Sequence, residues 1–547
     1  MKVALAQLNF IIGDFEGNAR KIIQHIGKAK NDGADMVVFS ELSVTGYYPH
    51  DLLKKNEFIR KTGETVIEIA KHCNGIAAII GAPSTNLYER GKHLFNSAFF
   101  LNNGKIESIH NKTLLPTYDI FDEYRHFEPN RNFSIVEYKG EKIAITICGD
   151  LWDEQPSASK FGKNKLHQTS PMEELLKYNP DFVVNISAFP FSYNHEGWHK
   201  NALISKTKKY KIPILYVNQV GAHTGFIFDG GSVLINKNGE IVKELNYFEE
   251  DYILVDTNNH GEINLQKSAC YIEKIHDALI LGIHDYFVKT GFKSAILGLS
   301  GGIDSAVTAV LAVHALGAEN VRTLLMPSKY SPDHSLSDAV KLAENLKIRY
   351  DIVPIQSAVD VFEKELSQLF AGLPSDITEE NIQARVRGIY SMALANKFGN
   401  ILLNTTNKSE YAVGYGTLYG DMNGGLAVLG DVYKTDVYKL SHFINRDIEI
   451  IPENSILKYP SAELKPNQKD TDSLPDYENL DQILFNFIEM NKSPEEIVTS
   501  GFDASVVKRV ISMVNMSEYK RFQAAPILRV SSKAFGFGRK IPLVARY

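Results

Sequence analysis

The chain has 547 residues, 44% hydrophobic and 23% charged, a globular composition that excludes a collagen, a disordered regulator and a disulfide mini-protein. Its 59 basic and 65 acidic residues leave a net charge of −6, which argues against a non-specific nucleic-acid binder, since that class needs a basic footprint. The length exceeds what one core serves and predicts two large domains. No apolar run reaches the ~18–20 residues that span a bilayer. The apolar start MKVALAQLNFII is interrupted by Gln7 and Asn9 and followed by Asp14 and Glu16, so it reads as a buried strand, not a signal peptide. Three cysteines, Cys73, Cys148 and Cys270, are an odd and sparse set that points to reduced thiols in a cytoplasmic protein.

KVALAQL is a strand, NARKIIQHIGKAKNDG an amphipathic helix with a glycine stop, and DMVVFSE the next strand. AAIIGAPS, NSAFFLN, KIAITICGD, DFVVNIS and ILYVNQV follow. Several are near-continuous apolar runs, as in strands covered on both faces. HLFNSAFFLNNGKIE and GGSVLINKNGEIV carry Asn-Gly between strand-like runs and predict hairpins. The first half should therefore hold mixed sheets. Residues 257–272 are polar and aperiodic, so 1–258 and 273–547 are expected as domains joined by a linker, 259–272. IEKIHDALILGIHDYFVKTG opens the second half as a helix; SAILGLS, VRTLLMPS and NILLNTT read as strands alternating with helices. This alternation predicts a parallel, doubly wound sheet. A polar, proline-bearing loop over 460–476 precedes a mostly helical C-terminal stretch.

The string GLSGGIDS, comprising Gly298, Leu299, Ser300, Gly301, Gly302, Ile303, Asp304 and Ser305, stands between a strand and a helix. Gly301 and Gly302 let the backbone approach phosphate oxygens, and the helix start adds amide donors and a positive dipole end. Ser300 and Ser305 offer hydroxyls, and Asp304 is placed to hold magnesium. Neither the lysine-bearing Walker A pattern nor GxGxxG fits. A glycine turn that merely closes a βα unit is the plain alternative.

SGGxDS resembles the loop of the N-type ATP pyrophosphatases, which adenylate a carboxyl or a base and release pyrophosphate. That group includes ammonia-using synthetases and tRNA-modifying enzymes. NIQARVRG (381–388), NTTNKSE (404–410), GYGTLYGDM (414–422), DVYKT (431–435), PSAELKPNQKDTDSLP (460–475) and EYKR (518–521) are together similar to the NAD synthetases. The resemblance implies that Thr405 contacts ATP alongside residues 298–305. It implies that Glu410 joins Asp304 on magnesium and lies against the dinucleotide. Asp421 and Lys434 would sit at the adenylated carboxylate, with Lys434 neutralising charge as pyrophosphate departs, and Asn381 and Lys520 would hold deamido-NAD. The chain departs from the family where Thr406 replaces a glycine, and where Val428 and Gly430 stand for the more usual proline and lysine.

In the first half, FSELSVTGY puts Glu41 at a strand end, HNKTLLPTYDIFDEYRHFEP supplies Lys112, and ITICGDLW puts Cys148 at a strand end before Gly149. A free thiol titrates near ~8.5 and needs help at neutral pH. A carboxylate can take its proton, and an ammonium can stabilise thiolate and oxyanion. Glu, Lys and Cys therefore suffice for acyl transfer from an amide, although each alone is ordinary; a lone Cys148 is a small core hydrophobe. With FDE (121–123), VNQVG (217–221) and FDGGS (228–232), the segments resemble the nitrilase-like amidases over about residues 1–255. That resemblance implies an α-β-β-α sandwich and a Glu-Lys-Cys triad. A Cys-His-Glu glutaminase is opposed by the missing GxCxG elbow, and a papain-like site by its missing signature.

Glutamine-using relatives typically carry SASPFxxGK, where this chain has SAFPFSYNHEG. Phe189 stands for a serine and His195 for a lysine or arginine, whereas Tyr118 matches; these three are the candidate glutamine-binding residues. HTGF (223–226) replaces an NDEL-type segment. HEGWH (195–199) meets the zinc-protease pattern H-E-x-x-H, but zinc needs both histidines on one helical turn. Pro190 and Gly197 put the helix start near Trp198, so the segment reads as pocket loop, not zinc site.

Both halves together resemble the glutamine-dependent NAD synthetases. Deamido-NAD, ATP and glutamine would give NAD, AMP, pyrophosphate and glutamate, with Mg²⁺ as cofactor and neither zinc nor flavin. The partners implied are small-molecule substrates, with no nucleic acid and no membrane. Such enzymes form homo-oligomers, dimers through the synthetase domain and in some members octamers. The rivals are another amidotransferase, a tRNA-modifying ATP pyrophosphatase, which would need a basic face, and a scaffold with dead sites.

Overall fold

The computed structural model describes residues 1–153, 169–195, 197–258, 263–266, 269–466, 468–536 and 538–545, the side chain of His195 excepted. The chain divides into two units. One comprises Met1–Phe191, His195–Ala222 and Phe228–Ser268; the other comprises Ala269–Tyr547 with the short segments Ser192–Asn194 and His223–Ile227.

The first unit contributes β1 (Lys2–Gln7), α1 (Phe15–Asn31), β2 (Met36–Val38), α2 (Asn56–Ala70), β3 (Ala77–Thr85), β4 (Leu94–Asn102) and β5 (Lys105–Asn111). There follow β6 (Val136–Tyr138), β7 (Glu141–Ile147), α3 (Pro171–Leu176), β8 (Phe182–Ser187), α4 (Trp198–Tyr210) and β9 (Ile214–Asn218). A ribbon of β10 (Val220–His223) and β11 (Phe226–Asp229) precedes β12 (Val233–Ile235), β13 (Ile241–Glu244) and β14 (Asp251–Asp256). Two six-stranded sheets result, in the orders β14-β1-β2-β3-β4-β5 and β13-β12-β9-β8-β7-β6. Both are mixed: β1, β2 and β3 run parallel while β14 and β4 are antiparallel to their neighbours, and β7, β8 and β9 run parallel between antiparallel edges.

The two-residue period of a strand decides the layering. Val3 and Leu5 of β1 face inward with Met36, Val38 and Ile79, and meet Ile143, Ile145, Val184 and Leu215 of the second sheet. Ala4 and Ala6 face outward with Val37 and Ala78, against Ile22 and Ile26 of α1 and Val66 and Ile69 of α2. Ala144, Val183 and Tyr216 of the second sheet meet Met172 and Leu175 of α3 and Leu203 of α4. Each such large side chain, fully buried, contributes roughly 1.5–3 kcal/mol. The result is the expected α-β-β-α sandwich. The Asn-Gly turn joining β4 to β5 is as predicted, with Asn103 and Gly104 at φ 50° and 75°, the left-handed pair such a turn demands.

The second unit opens with α5 (Tyr271–Thr290), then β15 (Ala295–Gly298), α6 (Ile303–Leu316), β16 (Val321–Leu325), α7 (Asp333–Leu346) and β17 (Arg349–Ile352). It continues with α8 (Gln356–Leu366), α9 (Ile377–Phe398), β18 (Ile401–Asn404), α10 (Lys408–Val413), β19 (Leu426–Ala427), α11 (Lys434–Ile444) and α12 (Glu453–Leu457). The segment beyond 476 is mostly helical. The sheet is parallel throughout, in the order β17-β16-β15-β18-β19. From β15 the chain moves outward on one side to β16 and β17, then returns to β18 on the other. The loops leaving the C-terminal ends of β15 and β18 therefore diverge, which opens a crevice at the topological switch point.

Candidate active site

In the first unit the expected triad gathers around a buried lysine. Lys112, immediately after β5, is fully buried; its Nζ donates to Glu41 Oε1 at 2.7 Å and to Glu123 Oε1 at 2.8 Å. Glu41 also accepts from Asn96 Nδ2 at 2.7 Å and from the Ala188 amide at 3.1 Å. Glu123 accepts from Tyr47 Oη at 2.7 Å. Burial alone would lower the Lys112 pKa, but Glu123 and Glu41 outweigh it and hold the ammonium well above its ordinary value. Burial, with Glu41 adding to it, raises Glu123 against the opposing pull of Lys112.

Glu123 is the residue the sequence reading missed as a site member. Its signal was present in FDE, 11 residues after Lys112.

Cys148 begins a short 3₁₀ turn after β7 with φ 42° and is buried. A left-handed non-glycine residue costs about 1–3 kcal/mol and marks a turn that the surroundings enforce. The enforcing group is Asp150. Its Oδ1 accepts from the Thr113 and Leu114 amides at 2.9 Å each, and its Oδ2 from the Ile147 amide at 3.1 Å. One carboxylate thus ties the Lys112 loop to the Cys148 turn. Burial pushes Asp150 up to about 6. Burial, then the charge of Glu41, raises the Cys148 thiol above its ordinary value, and Lys112 opposes them. The resting thiol is protonated, so its proton has to leave as it attacks.

Of the candidate glutamine residues, Tyr118 is 45% exposed with its ring 5.8 Å from Phe121. Phe189 packs edge-on to Trp152 at 4.7 Å and lies 5.3 Å from the His199 ring. An aromatic ring thus stands where a serine would give a hydroxyl. The His195 side chain and Glu196 lie outside the described residues. Helix α4 starts at Trp198 behind Gly197 at φ 71°, while His195 ends a 3₁₀ turn. The two histidines of HEGWH therefore do not share a helical turn, as the sequence suggested.

In the second unit two neighbouring cavities occupy the crevice. One, about 250 Å³, is lined by Gly298, Leu299, Ser300, Ser305, Met326 and Arg387 among others. The second, about 170 Å³, is lined by Gly302, Ile303, Asp304, Glu410, Lys434 and Asp470 among others. Ser300, Thr405 and Asp421 border both. Gly301 has φ 79°, and a Cβ there would lie 2.2 Å from the Ser335 carbonyl oxygen, so only glycine fits.

Lys434, at the start of α11, is ion-paired to Asp304 Oδ2 and lies 3.8 Å from Glu410. Asn407 Nδ2 donates to Asp304 Oδ1 at 3.0 Å and its Oδ1 caps α10. Burial and then Asp304 push the Glu410 carboxyl well up, with Lys434 opposing. Burial works to lower Lys434, yet Asp304 and Glu410 leave it above its ordinary value. The family-implied magnesium can be judged against this donor set. Among the described residues no group of three or more His, Cys, Asp or Glu side chains is disposed to hold a metal. A carboxylate pair at a phosphate-sized cavity nevertheless fits Mg²⁺, which takes one or two carboxylates and completes its shell with phosphates and water.

Asn381 and Lys520 do not border either cavity. Both engage the loop 414–421: Asn381 Oδ1 accepts from Thr417 Oγ1 at 2.6 Å, and Lys520 Nζ donates to the Gly414 and Gly416 carbonyls at 2.7 Å each. The Thr417 amide donates to Asp421 at 2.5 Å, so this loop links the two residues to the cavities through Asp421. Thr406, in place of the family glycine, is accommodated by its own bonds: its amide donates to Asn404 Oδ1 at 2.9 Å and its hydroxyl to the Asp421 carbonyl at 3.4 Å.

Residues 2–261 match the carbon-nitrogen hydrolase family and residues 275–524 the NAD synthase family. A glutamine-dependent NAD(+) synthetase of Synechocystis sp. is 44% identical, the alignment covering 100% of this chain and 99% of the relative. The one from Thermotoga maritima is 38% identical, with 100% and 99% covered. Among solved structures, glutamine-dependent NAD+ synthetase from Acinetobacter baumannii in complex with ADP superposes with a TM-score of 0.78 at 37% identity, over 99% of this chain and 98% of that one. A glutamine-dependent NAD(+) synthetase from Cytophaga hutchinsonii shares the fold, with a TM-score of 0.83 at 21% identity over 100% and 98%.

Proposed function

The chain belongs to the family of glutamine-dependent NAD(+) synthetases, and we propose that its units divide that reaction: the first frees ammonia from glutamine at Cys148, and the second adenylates deamido-NAD and amidates it. In the first step Glu41 takes the thiol proton as sulfur attacks the carboxamide carbon. Lys112 neutralises the oxyanion, and the C–N bond breaks as ammonia leaves with the proton from Glu41. Water, deprotonated by Glu41, then cleaves the thioester to glutamate. Glu123 keeps Lys112 charged and fixed while Glu41 alternates between its two protonation states.

In the second unit the amides and hydroxyls of residues 298–305, with Thr405, hold the ATP phosphates. Asp421 and Lys434 face the carboxylate being activated, and Asn381, Glu410 and Lys520 hold the dinucleotide. Asp304 and Glu410 would hold Mg²⁺, which when bound neutralises phosphate charge. Tyr118 and His195 orient glutamine, with Phe189 as an apolar wall. We place the enzyme in the cytoplasm, as a homo-oligomer joined through its synthetase units; its three cysteines are unpaired, and among the described residues no helix is long and apolar enough to cross a membrane.

The observation that carries the proposal is the fully buried Glu41–Lys112–Glu123 cluster beside a thiol held at positive φ. That arrangement is costly to fold and suits one chemistry. Cys148→Ala tests it. Glutamine-supported NAD synthesis should vanish while synthesis from added ammonium chloride persists; loss of both in a folded variant would overturn the division of labour.

A further inference from the structure

The smaller synthetase cavity holds a second cation that the mechanism above leaves unused. Lys434 is committed to Asp304 and Glu410. Lys458, just after α12, lines the same cavity, and among the described residues its one ion pair is a loose contact with Asp338 at 3.9 Å. Its Nζ donates to Ser335 Oγ at 2.9 Å, and that hydroxyl in turn donates to Glu463 Oε1 at 2.5 Å, so among the described residues no carboxylate of the cavity pairs with the lysine directly. Burial lowers its pKa, with Glu463 and Asp338 opposing, as expected of an ammonium short of a counter-charge.

Two further features point the same way. Ser455, one turn earlier in α12, also lines the cavity; it is 2% exposed, and its Oγ has no hydrogen-bond partner. A buried orphan hydroxyl costs about 1–3 kcal/mol unless something arrives to bond it. The carbonyl of Ser335, the residue that accepts from Lys458, is the one that rests against Gly301 of the phosphate loop. The lysine is therefore seated on the element that supports the loop.

We propose that Lys458 is a further catalytic residue of the adenylation, with Ser455 as its hydroxyl partner, and that the two receive the departing pyrophosphate. The proposal rests on the adenylation reading. In that step a carboxylate oxygen of deamido-NAD forms a bond to the α-phosphorus of ATP. The bond from that phosphorus to the bridging oxygen breaks, and the electron pair leaves on pyrophosphate. No proton moves; negative charge gathers on the leaving group, and a desolvated ammonium stabilises it best there. The dianionic face of pyrophosphate replaces Ser335 as the acceptor for Lys458 and accepts from Ser455.

The experiment uses the full chain with ammonium chloride as nitrogen source, measuring NAD, AMP and pyrophosphate, and inhibition by added inorganic pyrophosphate. For Lys458→Met the expected result is a kcat lowered about 100-fold with the ATP KM changed less than about threefold, and pyrophosphate inhibition weakened about tenfold or more. Lys458→Arg should recover kcat to within about tenfold of the parent. Ser455→Ala, which removes only an orphan oxygen and leaves folding undisturbed, should weaken pyrophosphate inhibition several-fold. If Lys458→Met and Ser455→Ala both keep the parent's kcat and pyrophosphate inhibition while the parent forms AMP and pyrophosphate, the role of Lys458 is refuted and adenylation stands. A parent enzyme that releases ADP and phosphate instead overturns the adenylation reading itself.

Discussion

Replacing Lys112 by methionine takes the one positive charge from between two buried carboxylates. The wild-type contacts are 2.7 and 2.8 Å, and none of the three side chains is more than 1% exposed. Breaking a buried pair in this way costs about 3–5 kcal/mol, because a charge is left without compensation. At about 2–4 °C per kcal/mol for a unit of this size, the melting temperature should fall by roughly 6–20 °C. The deficit should also depend on pH. Glu123 is already raised by burial, and losing the ammonium raises it further. A carboxyl whose folded pKa lies above its unfolded value of ~4.3 favours folding when protonated and loses that contribution as pH rises; both proteins do so, but the variant, with the higher folded value, goes on losing it after the wild type has stopped, so the deficit grows with pH between the two folded values. From pH 5.5 to 7.5 it should grow by up to about 2.7 kcal/mol. Adding Glu123→Gln to Lys112→Met should remove most of this dependence and recover part of the stability. Calorimetry of the full chain at both pH values reads all three proteins. Equal deficits at pH 5.5 and 7.5, or no recovery in the double variant, would refute the view that Glu123 is held in place by the Lys112 charge.

Asp304→Ala should abolish NAD formation from glutamine and ammonia alike, as followed by NAD yield; near-parental ammonia-dependent synthesis would remove the phosphate-loop assignment. Gly301→Ala should do the same, since its Cβ would meet the Ser335 carbonyl at 2.2 Å in a backbone at φ 79°, and an ATP-binding titration would show the loss. Asp150→Asn leaves the Ile147 amide facing another donor, a cost of about 1–3 kcal/mol, and should lower glutaminase kcat without touching ammonia-dependent synthesis. Burial has raised Asp150 from 3.8 to about 6, so the wild-type protein carries a stability contribution that declines as pH rises through that window; melting curves of the variant should lack it. His195→Ala should raise the glutamine KM about ten- to a hundredfold, the value of one charge-assisted hydrogen bond, and leave the ammonia reaction unchanged.

Local sequence carried much of this architecture because local physics decides it. The Asn103–Gly104 turn, the apolar runs of β7 and β8 and the glycine loop after β15 each announce themselves within eight residues. The short strands did not. Met36–Val38 was expected to run on to Glu41, yet the strand ends at Val38 and the chain turns to bury Glu41. β17 is four partly exposed residues and β19 only two, too few for any periodicity to register. What sequence cannot supply is the partner of a buried charge. Lys408, given no role in the NTTNKSE string, is fully buried, 2.8 Å from Asp431 and ion-paired to Glu489, 81 residues away. Glu123 was hidden although Lys112 is only 11 residues away, because nothing in the loop between them says that it folds back to bury the two side chains together.

The glycine loop after β15 is hydrogen-bonded to itself. The Ser300 amide and hydroxyl meet Ser305 Oγ at 3.2 and 3.1 Å, and the Gly302 amide donates to Ser300 Oγ at 3.2 Å. A ligand that takes up the Ser300 or Gly302 amide must trade bonds with these hydroxyls. For a neutral molecule the trade is even, one uncharged acceptor for another, and nothing favours the exchange. For a phosphate it is uneven, since bonds to a charged acceptor are about twice as strong. On the proposed phosphate-binding reading, exchange at these two amides discriminates for charge rather than shape, and the Ser300 and Ser305 hydroxyls set the threshold that an incoming anion has to exceed.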